Sequence, residues 1–285
     1  MLNRNIENFI GCDASYAEAD VVLFGAPFDG TTSFRPGTRF APAAMRRESY
    51  GLELYSPYQG MELSDGNIFD SGDIELPFGS PERALGMIEE RAGEILADGK
   101  LPFLIGGEHL VTLGAVRAAA AKYPGLHILH FDAHADLRDE YLGERLSHAC
   151  VLRRCHELTG DGRIYQFGIR SGDKSEFEWG KEHVFTRLFD FEGLEDVLES
   201  LRGRPVYLTV DLDVLDPSVF PGTGTPEPGG VTFDALRRAV TAACQTLNVV
   251  AADVNELSPH YDASGASTAA ACKIAREMLI ALACK

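Results

Sequence analysis

The stretch Leu126-His127-Ile128-Leu129-His130-Phe131-Asp132-Ala133-His134-Ala135-Asp136 decides how the rest of the chain is read. Its first half is a largely apolar run of strand length. Its second half sets an acid, an imidazole and an acid at every second position, spaced by alanines. Alternate residues of an extended segment point the same way, so two carboxylates and one imidazole are expected to converge on one spot. That convergence is unfavourable unless a cation neutralises it. His127 and His130, inside the run, read as packing residues or as partners behind the ligands.

Working outward, the same device recurs at Val206-Tyr207-Leu208-Thr209-Val210, which ends in Asp211-Leu212-Asp213; apolar Leu212 and Val214 point to buried surroundings. Asp216, just before Pro217, reads as a turn or helix-start cap. Leu104-Ile105 leads through Gly106-Gly107-Glu108 to His109, with the glycines expected to allow a tight turn at a strand-to-helix junction. Further apolar runs at 21–24, 102–105, 164–169 and 249–254 alternate with amphipathic stretches, which predicts a parallel sheet covered by helices. The clearest helix begins at Ser80-Pro81-Glu82 with a capping serine, carries Leu85, Ile88, Ala92, Ile95 and Leu96 on one stripe, and stops at Gly99. A last helix is predicted over 266–283. Residues 27–47 and 214–231 read as Gly/Pro/Thr-rich loops. Ligands of an open parallel sheet gather beyond the carboxyl ends of its strands, where all three polar clusters fall.

With 285 residues and 45% hydrophobic content, the chain can fill one large α/β core, and a single domain over 1–285 is expected. The formal charge of −17 disfavours nucleic acid and anionic lipid while permitting a small cationic substrate. Met-Leu-Asn-Arg-Asn-Ile-Glu-Asn at the start lacks the apolar stretch of a signal peptide, and no run of about 18 apolar residues occurs. The expectation is a cytoplasmic protein without a membrane span. Cysteines at 12, 150, 155, 244, 272 and 284 form no Cys-x-x-Cys pair and read as reduced packing thiols, Cys150 included despite its place two residues after His148.

Asp132, Asp136, Asp211, Asp213, His109 and His134 form an oxygen- and nitrogen-donor set without cysteine. Such a set suits Mn²⁺ or Mg²⁺ better than structural Zn²⁺, and two divalent ions balance its four carboxylates. Metals about 3.5–4 Å apart share a water and lower its pKa toward neutrality.

At these motifs the chain resembles the ureohydrolases, the arginase and agmatinase family, through Gly-Gly-Glu-His (106–109), Asp-Ala-His-Ala-Asp (132–136) and Thr-Val-Asp-Leu-Asp-Val-Leu-Asp-Pro (209–217). Gly25-Ala26-Pro27-Phe28-Asp29, Arg35-Pro36-Gly37-Thr38-Arg39, Pro221 to Glu227 and Asp253-Val254-Asn255-Glu256 are similar to agmatinase-type segments in the same order. The resemblance implies a three-layer α/β/α sandwich with a mostly parallel sheet of about eight strands, of the arginase/deacetylase kind. It implies one Mn²⁺ on His109, Asp132, Asp136 and Asp211 and a second on His134, Asp132, Asp211 and Asp213. By the same resemblance Glu256 holds the guanidinium, His148 shuttles a proton, and the chain assembles as a homotrimer or homohexamer; in the mechanism expected from these residues, Asp213 accepts or orients the hydroxide proton. Two departures are visible: Thr209 where the family commonly has Ser, and Ala41 where Gly is usual.

Arginases resemble one another in an Asn where this chain has Arg138, so agmatine is the expected substrate, hydrolysed to putrescine and urea by a metal-bridging hydroxide that attacks the guanidinium carbon. Arg138 joins Glu256 and His148 as a substrate-binding candidate, and Asp139, Glu140 or Glu144 are placed near the mouth. The alternatives are hydrolysis of guanidinobutyrate, guanidinopropionate or arginine, a single-zinc deacetylase-like enzyme, and a noncatalytic metal-binding protein on the same fold. A full six-ligand set argues against the last two.

Overall fold

The computed structural model describes residues 7–284, so part of the opening segment read for a signal peptide lies outside the described residues. Eight strands form one sheet: β1 Val21–Gly25, β2 Ile68–Asp73, β3 Leu101–Ile105, β4 His127–Phe131, β5 Ile164–Ile169, β6 Phe185–Leu188, β7 Pro205–Asp211 and β8 Asn248–Asn255. Their order is β2-β1-β3-β8-β7-β4-β5-β6, and every neighbouring pair is parallel. Connections between the parallel strands need crossovers, supplied here by α1 Ala41–Ser49, α2 Pro81–Ala97, α3 Thr112–Lys122, α4 Val151–Thr159, α5 Lys174–His183, α6 Leu194–Leu201 and α7 Phe233–Thr246, while α8 Ala266–Ala283 follows the last strand.

Alternation along the central strands sends side chains to two separate cores. Leu129 and Phe131 of β4 and Val206, Leu208 and Val210 of β7 face one of them, with Met45 of α1, Leu198 of α6, Val240 of α7 and Met278 of α8. Ile128 and Tyr207 face the other, with Ile88 of α2, Val116 of α3 and Leu152 of α4, while Phe177 and Trp179 of α5 pack against it. The result is the expected three-layer sandwich.

Six of the eight strands match the apolar runs; β2 and β6 were not anticipated. Both lie at the sheet edges, where one flank meets solvent, and Ile-Phe-Asp-Ser-Gly-Asp and Phe-Thr-Arg-Leu never form a continuous apolar run. The loop expected over 27–47 is cut short, because Ala41-Pro42 opens α1 with proline in its first turn. Ser80 stands at the start of α2 as expected, but its side chain makes no capping hydrogen bond. No disulfide joins the six cysteines, and no helix among the described residues is long and apolar enough to cross a membrane.

Register fixes where the polar clusters lie. Val254 pairs with both Ile105 and Val210, and Val210 pairs with Phe131, so Ile105, Val254, Val210 and Phe131 form one row across β3, β8, β7 and β4. The residues that follow this row are Gly106, Asn255, Asp211 and Asp132. Four strands remote in sequence thus deliver their chemistry to one crevice.

Candidate metal centre

The backbone bends at Gly107-Glu108 between the end of β3 and His109, as expected from the glycine pair, and the pair also allows close approach. A Cβ on Gly106 would fall 1.8 Å from Asn255 Oδ1, and one on Gly107 would fall 2.0 Å from the carbonyl oxygen of Phe28. With that space open, the Glu256 N–H donates to the Gly107 carbonyl at 2.9 Å, and His109 starts a short 3-10 turn over the crevice. Glu256 itself sits at φ 66°, a conformation costly for a residue with a Cβ, and its Oε1 accepts the His109 N–H at 2.7 Å.

The segment 132–136 does not stay extended to its end. Asp136 turns into the left-handed region at φ 52°, and this bend brings its Oδ2 to 3.0 Å from His109 Nδ1. The same nitrogen lies 3.1 Å from Asp132 and 3.4 Å from Asp211. His134 Nδ1 lies 3.0 Å from Asp213 Oδ2 and 3.6 Å from Asp132 Oδ1. Two overlapping groups result, one around each imidazole, with Asp132 between them. All four aspartates and His109 are buried, whereas the His134 side chain keeps 22% of its exposure.

Charge balance in the cluster is incomplete. Among the described residues no lysine or arginine pairs with any of these aspartates. Burial, and then the charge of Asp132, push Asp136 up to about 7; burial followed by Asp213 and Asp132 raises Asp211, and burial followed by Asp213 and Glu108 raises Glu256. Asp132 goes the other way: burial opposes ionisation, but hydrogen bonds to His109 and His130 hold it low. An oxygen-rich, cysteine-free cluster with surplus negative charge is chemically suited to divalent cations.

Outer contacts orient these groups. His130 lies 2.8 Å from Asp132 Oδ2 through Nε2 and 3.0 Å from the Gln166 amide through Nδ1, in the supporting place expected for it. His127 is far from this chemistry, beside Arg204 at 3.2 Å. Thr209 Oγ1 stands 2.9 Å from His109 Nε2, so the hydroxyl that replaces the usual serine still reaches the imidazole. Asp216 organises its loop by accepting the N–H groups of Ser218, Gly229 and Gly230. Cys150 is no nucleophile: burial pushes its thiol up to about 12.

A cavity of about 200 Å³ opens over the cluster and is lined by His109, His134, Asp136, Asp211, Asp213 and Glu256, with His148, Arg138 and Glu176 toward its mouth. His148 is anchored through its N–H to Thr31 Oγ1 at 3.1 Å, and its Nε2 lies 3.4 Å from Ser33 Oγ. Burial and then positive His134 push its pKa down to about 4. Arg138 pairs with Glu176 at 3.3 Å and lies over the Tyr141 ring. Asp139, considered for the mouth, is instead tied to Arg154 at 2.7 Å.

Two supporting residues escaped the reading of the sequence. Glu108 accepts hydrogen bonds from Thr31 N and Oγ1 at 2.8 and 2.6 Å, and so fixes the hydroxyl that anchors His148. Arg170 donates to the carbonyls of Asp213 and Glu227, both at 2.8 Å, and braces the loop that follows β7. Its signal was available, because Arg170 directly follows the apolar strand β5.

Fold and site together define an α/β sandwich with a histidine–aspartate cluster at the carboxyl edge of its four central strands. The chain belongs to the arginase family, whose family model matches residues 19–281. It is 51% identical over 276 residues to an agmatinase of Bacillus anthracis and 50% identical over 276 residues to an agmatinase of Bacillus subtilis (strain 168), in each case across 95% of both chains. A solved structure from Clostridium difficile superposes with a TM-score of 0.92 at 48% identity, covering 94% of this chain and 99% of that one. The family is one of hydrolases with binuclear metal dependence.

Proposed function

We propose that this chain is a single-domain, manganese-dependent amidinohydrolase that converts agmatine and water to putrescine and urea. The observation that carries this reading is that five of the six ligand-type side chains and the further carboxylate Glu256 line one cavity, with the sixth, Asp132, buried beneath it between the two imidazoles. Agmatinases among relatives that match nearly the full length give the substrate its support. We assign His109, Asp132, Asp136 and Asp211 to one ion and His134, Asp132, Asp211 and Asp213 to the other, with Asp132 and Asp211 shared. When bound, the two ions supply Lewis acidity and bring the pKa of water toward neutrality.

The chain's own residues do the rest. Glu256 Oε1 already accepts the His109 N–H, but carboxylate oxygens accept more than one hydrogen bond, so the planar guanidinium still finds a forked partner there. Asp213, whose Oδ2 is 3.4 Å from Thr225 Oγ1, orients the nucleophile and takes its proton. His148, held by its N–H to Thr31 Oγ1 at 3.1 Å, relays a proton to the departing amine. Arg138 is engaged by the cavity-lining Glu176 at 3.3 Å and, outside the lining, by Asp173 at 3.8 Å, so its positive charge is offset on that wall. Such a wall suits the distal ammonium of agmatine better than the carboxylate of guanidinobutyrate or the amino-acid end of arginine. The family resemblance supports homotrimers or homohexamers, and we place the chain in the cytoplasm as a proposal.

Urea release from agmatine, arginine, guanidinobutyrate and guanidinopropionate, measured side by side with Mn²⁺, tests the assignment. Agmatine is expected to dominate; preference for arginine or a guanidino acid would overturn the substrate. Metal analysis is expected to find near two ions per chain.

A further inference from the structure

At the opposite edge of the sheet, two imidazoles and a carboxylate meet beside the only tryptophan of the chain. The turn Gly160-Asp161-Gly162-Arg163 joins α4 to β5, and α5 ends next to it at His183. His156 Nε2 lies 2.8 Å from Asp161 Oδ1, and His183 Nδ1 lies 2.6 Å from the same oxygen. The backbone holds this arrangement: the Gly160 N–H donates to the His156 carbonyl at 2.8 Å, and the Gly162 N–H donates to the His183 carbonyl at 2.9 Å. Asp161 is thus suspended between two residues, each tied to one of the histidines it faces. Trp179 stacks on His183 with ring centroids 4.2 Å apart and meets His156 edge-on at 4.8 Å, which fixes both rings.

We propose that His156, Asp161 and His183 form a second, surface metal site for a borderline transition ion of the Zn²⁺ class, clipping the last turns of α4 and α5 to the turn before β5. Two imidazole nitrogens and one carboxylate oxygen are a common three-ligand set for such ions, with solvent in the fourth position. Their ligand-type atoms all lie within 4.8 Å of one another. The Asp161 side chain is 68% exposed, so water reaches the open side. Ligands about 2.0–2.2 Å from a tetrahedral ion stand about 3.4 Å from each other, so the contacts described above have to open by less than about 1 Å. The exposed Asp161 side chain supplies that movement, and each imidazole nitrogen that faces Asp161 presents its lone pair to the ion once its proton has left or moved to the other ring nitrogen. Arg153 covers the Trp179 ring, with its guanidinium carbon 3.7 Å from the centroid, and its positive charge is one that a bound ion has to overcome. This donor set is nitrogen-rich where the central cluster is oxygen-rich, so the two sites select different metals.

Trp179 is a built-in reporter. In the full-length Mn²⁺-loaded protein, titration with Cu²⁺ is expected to quench its fluorescence saturably at one ion per chain, and excess Zn²⁺ is expected to reverse the quenching. His156→Ala and the more conservative Asp161→Asn are each expected to weaken Cu²⁺ binding by at least about tenfold, with circular dichroism and Mn²⁺ content unchanged. Quenching that rises linearly with Cu²⁺, that Zn²⁺ fails to reverse, or that both folded variants retain at wild-type affinity would overturn the site and leave a hydrogen-bonded cluster only.

Discussion

Two regions of this molecule bury carboxylates, and they do so in opposite ways. Near β2, Arg46 is sunk among Asp70 and Asp73, with its Nε 2.8 Å and its Nη2 3.0 Å from the two oxygens of Asp70. The Phe9 and Gly72 N–H groups complete the partners of Asp70 at 2.8 and 2.9 Å. Burial works against the Arg46 charge, but the two aspartates more than offset it and hold the guanidinium protonated. The crevice beyond β4 and β7 carries more carboxylates and has imidazoles instead of a permanent cation. A buried carboxylate held by a permanent cation is structural; a cluster of carboxylates with no permanent cation is built for something that arrives from outside.

The comparison breaks most sharply under Asp211→Asn. Turnover is expected to fall by about ten-thousandfold, the scale seen when one member of an interdependent catalytic set is lost. The metal-free variant should nevertheless melt at or above the temperature of the metal-free parent, because a destabilising buried charge is gone. A clear drop in metal-free melting temperature would show that the crevice is as self-sufficient as the Arg46 cluster. Arg46→Ala is expected to do the reverse, costing about 3–5 kcal/mol in urea unfolding by stranding the buried carboxylate of Asp70, while bound metal per folded chain stays unchanged. Stripping metal with a chelator sharpens the contrast from the ligand side. At an ion concentration of about 100 times Kd, binding contributes about 2.7 kcal/mol, so calorimetry should show a melting point lower by several degrees in the stripped protein and a much smaller difference in the Asp211→Asn variant. The smallest effect is expected at Thr209: its replacement by Val removes the hydroxyl beside His109 and should weaken metal binding by about tenfold, whereas Thr209→Ser should match the parent in the same titration.

Which parts of this were legible beforehand follows from the same physics. Strands buried on both faces spell themselves as apolar runs, so β4, β7 and β8 and the acids at their ends stood out, while the mixed edge strands β2 and β6 did not. Spacing at every second residue pointed to Asp132, His134 and Asp136 without any knowledge of the bend at Asp136. That bend is a backbone choice imposed by the surroundings, since the Asp136 carbonyl accepts the N–H groups of Leu152 and Arg153. Glu108 reaches Thr31 across 77 residues, a pairing no local pattern records, whereas Arg170 was marked by its place after β5 but not by its partner Glu227, 57 residues away.

The shared row of Ile105, Val254, Val210 and Phe131 has a consequence for assembly. A slip of one residue in any of these strands would turn its polar terminus to the opposite face and dismantle the crevice, although the apolar runs alone tolerate the shift. Ions held there would act as a gauge of alignment among four segments drawn from across the chain, so their uptake would mark completion of the central sheet rather than the folding of any one piece.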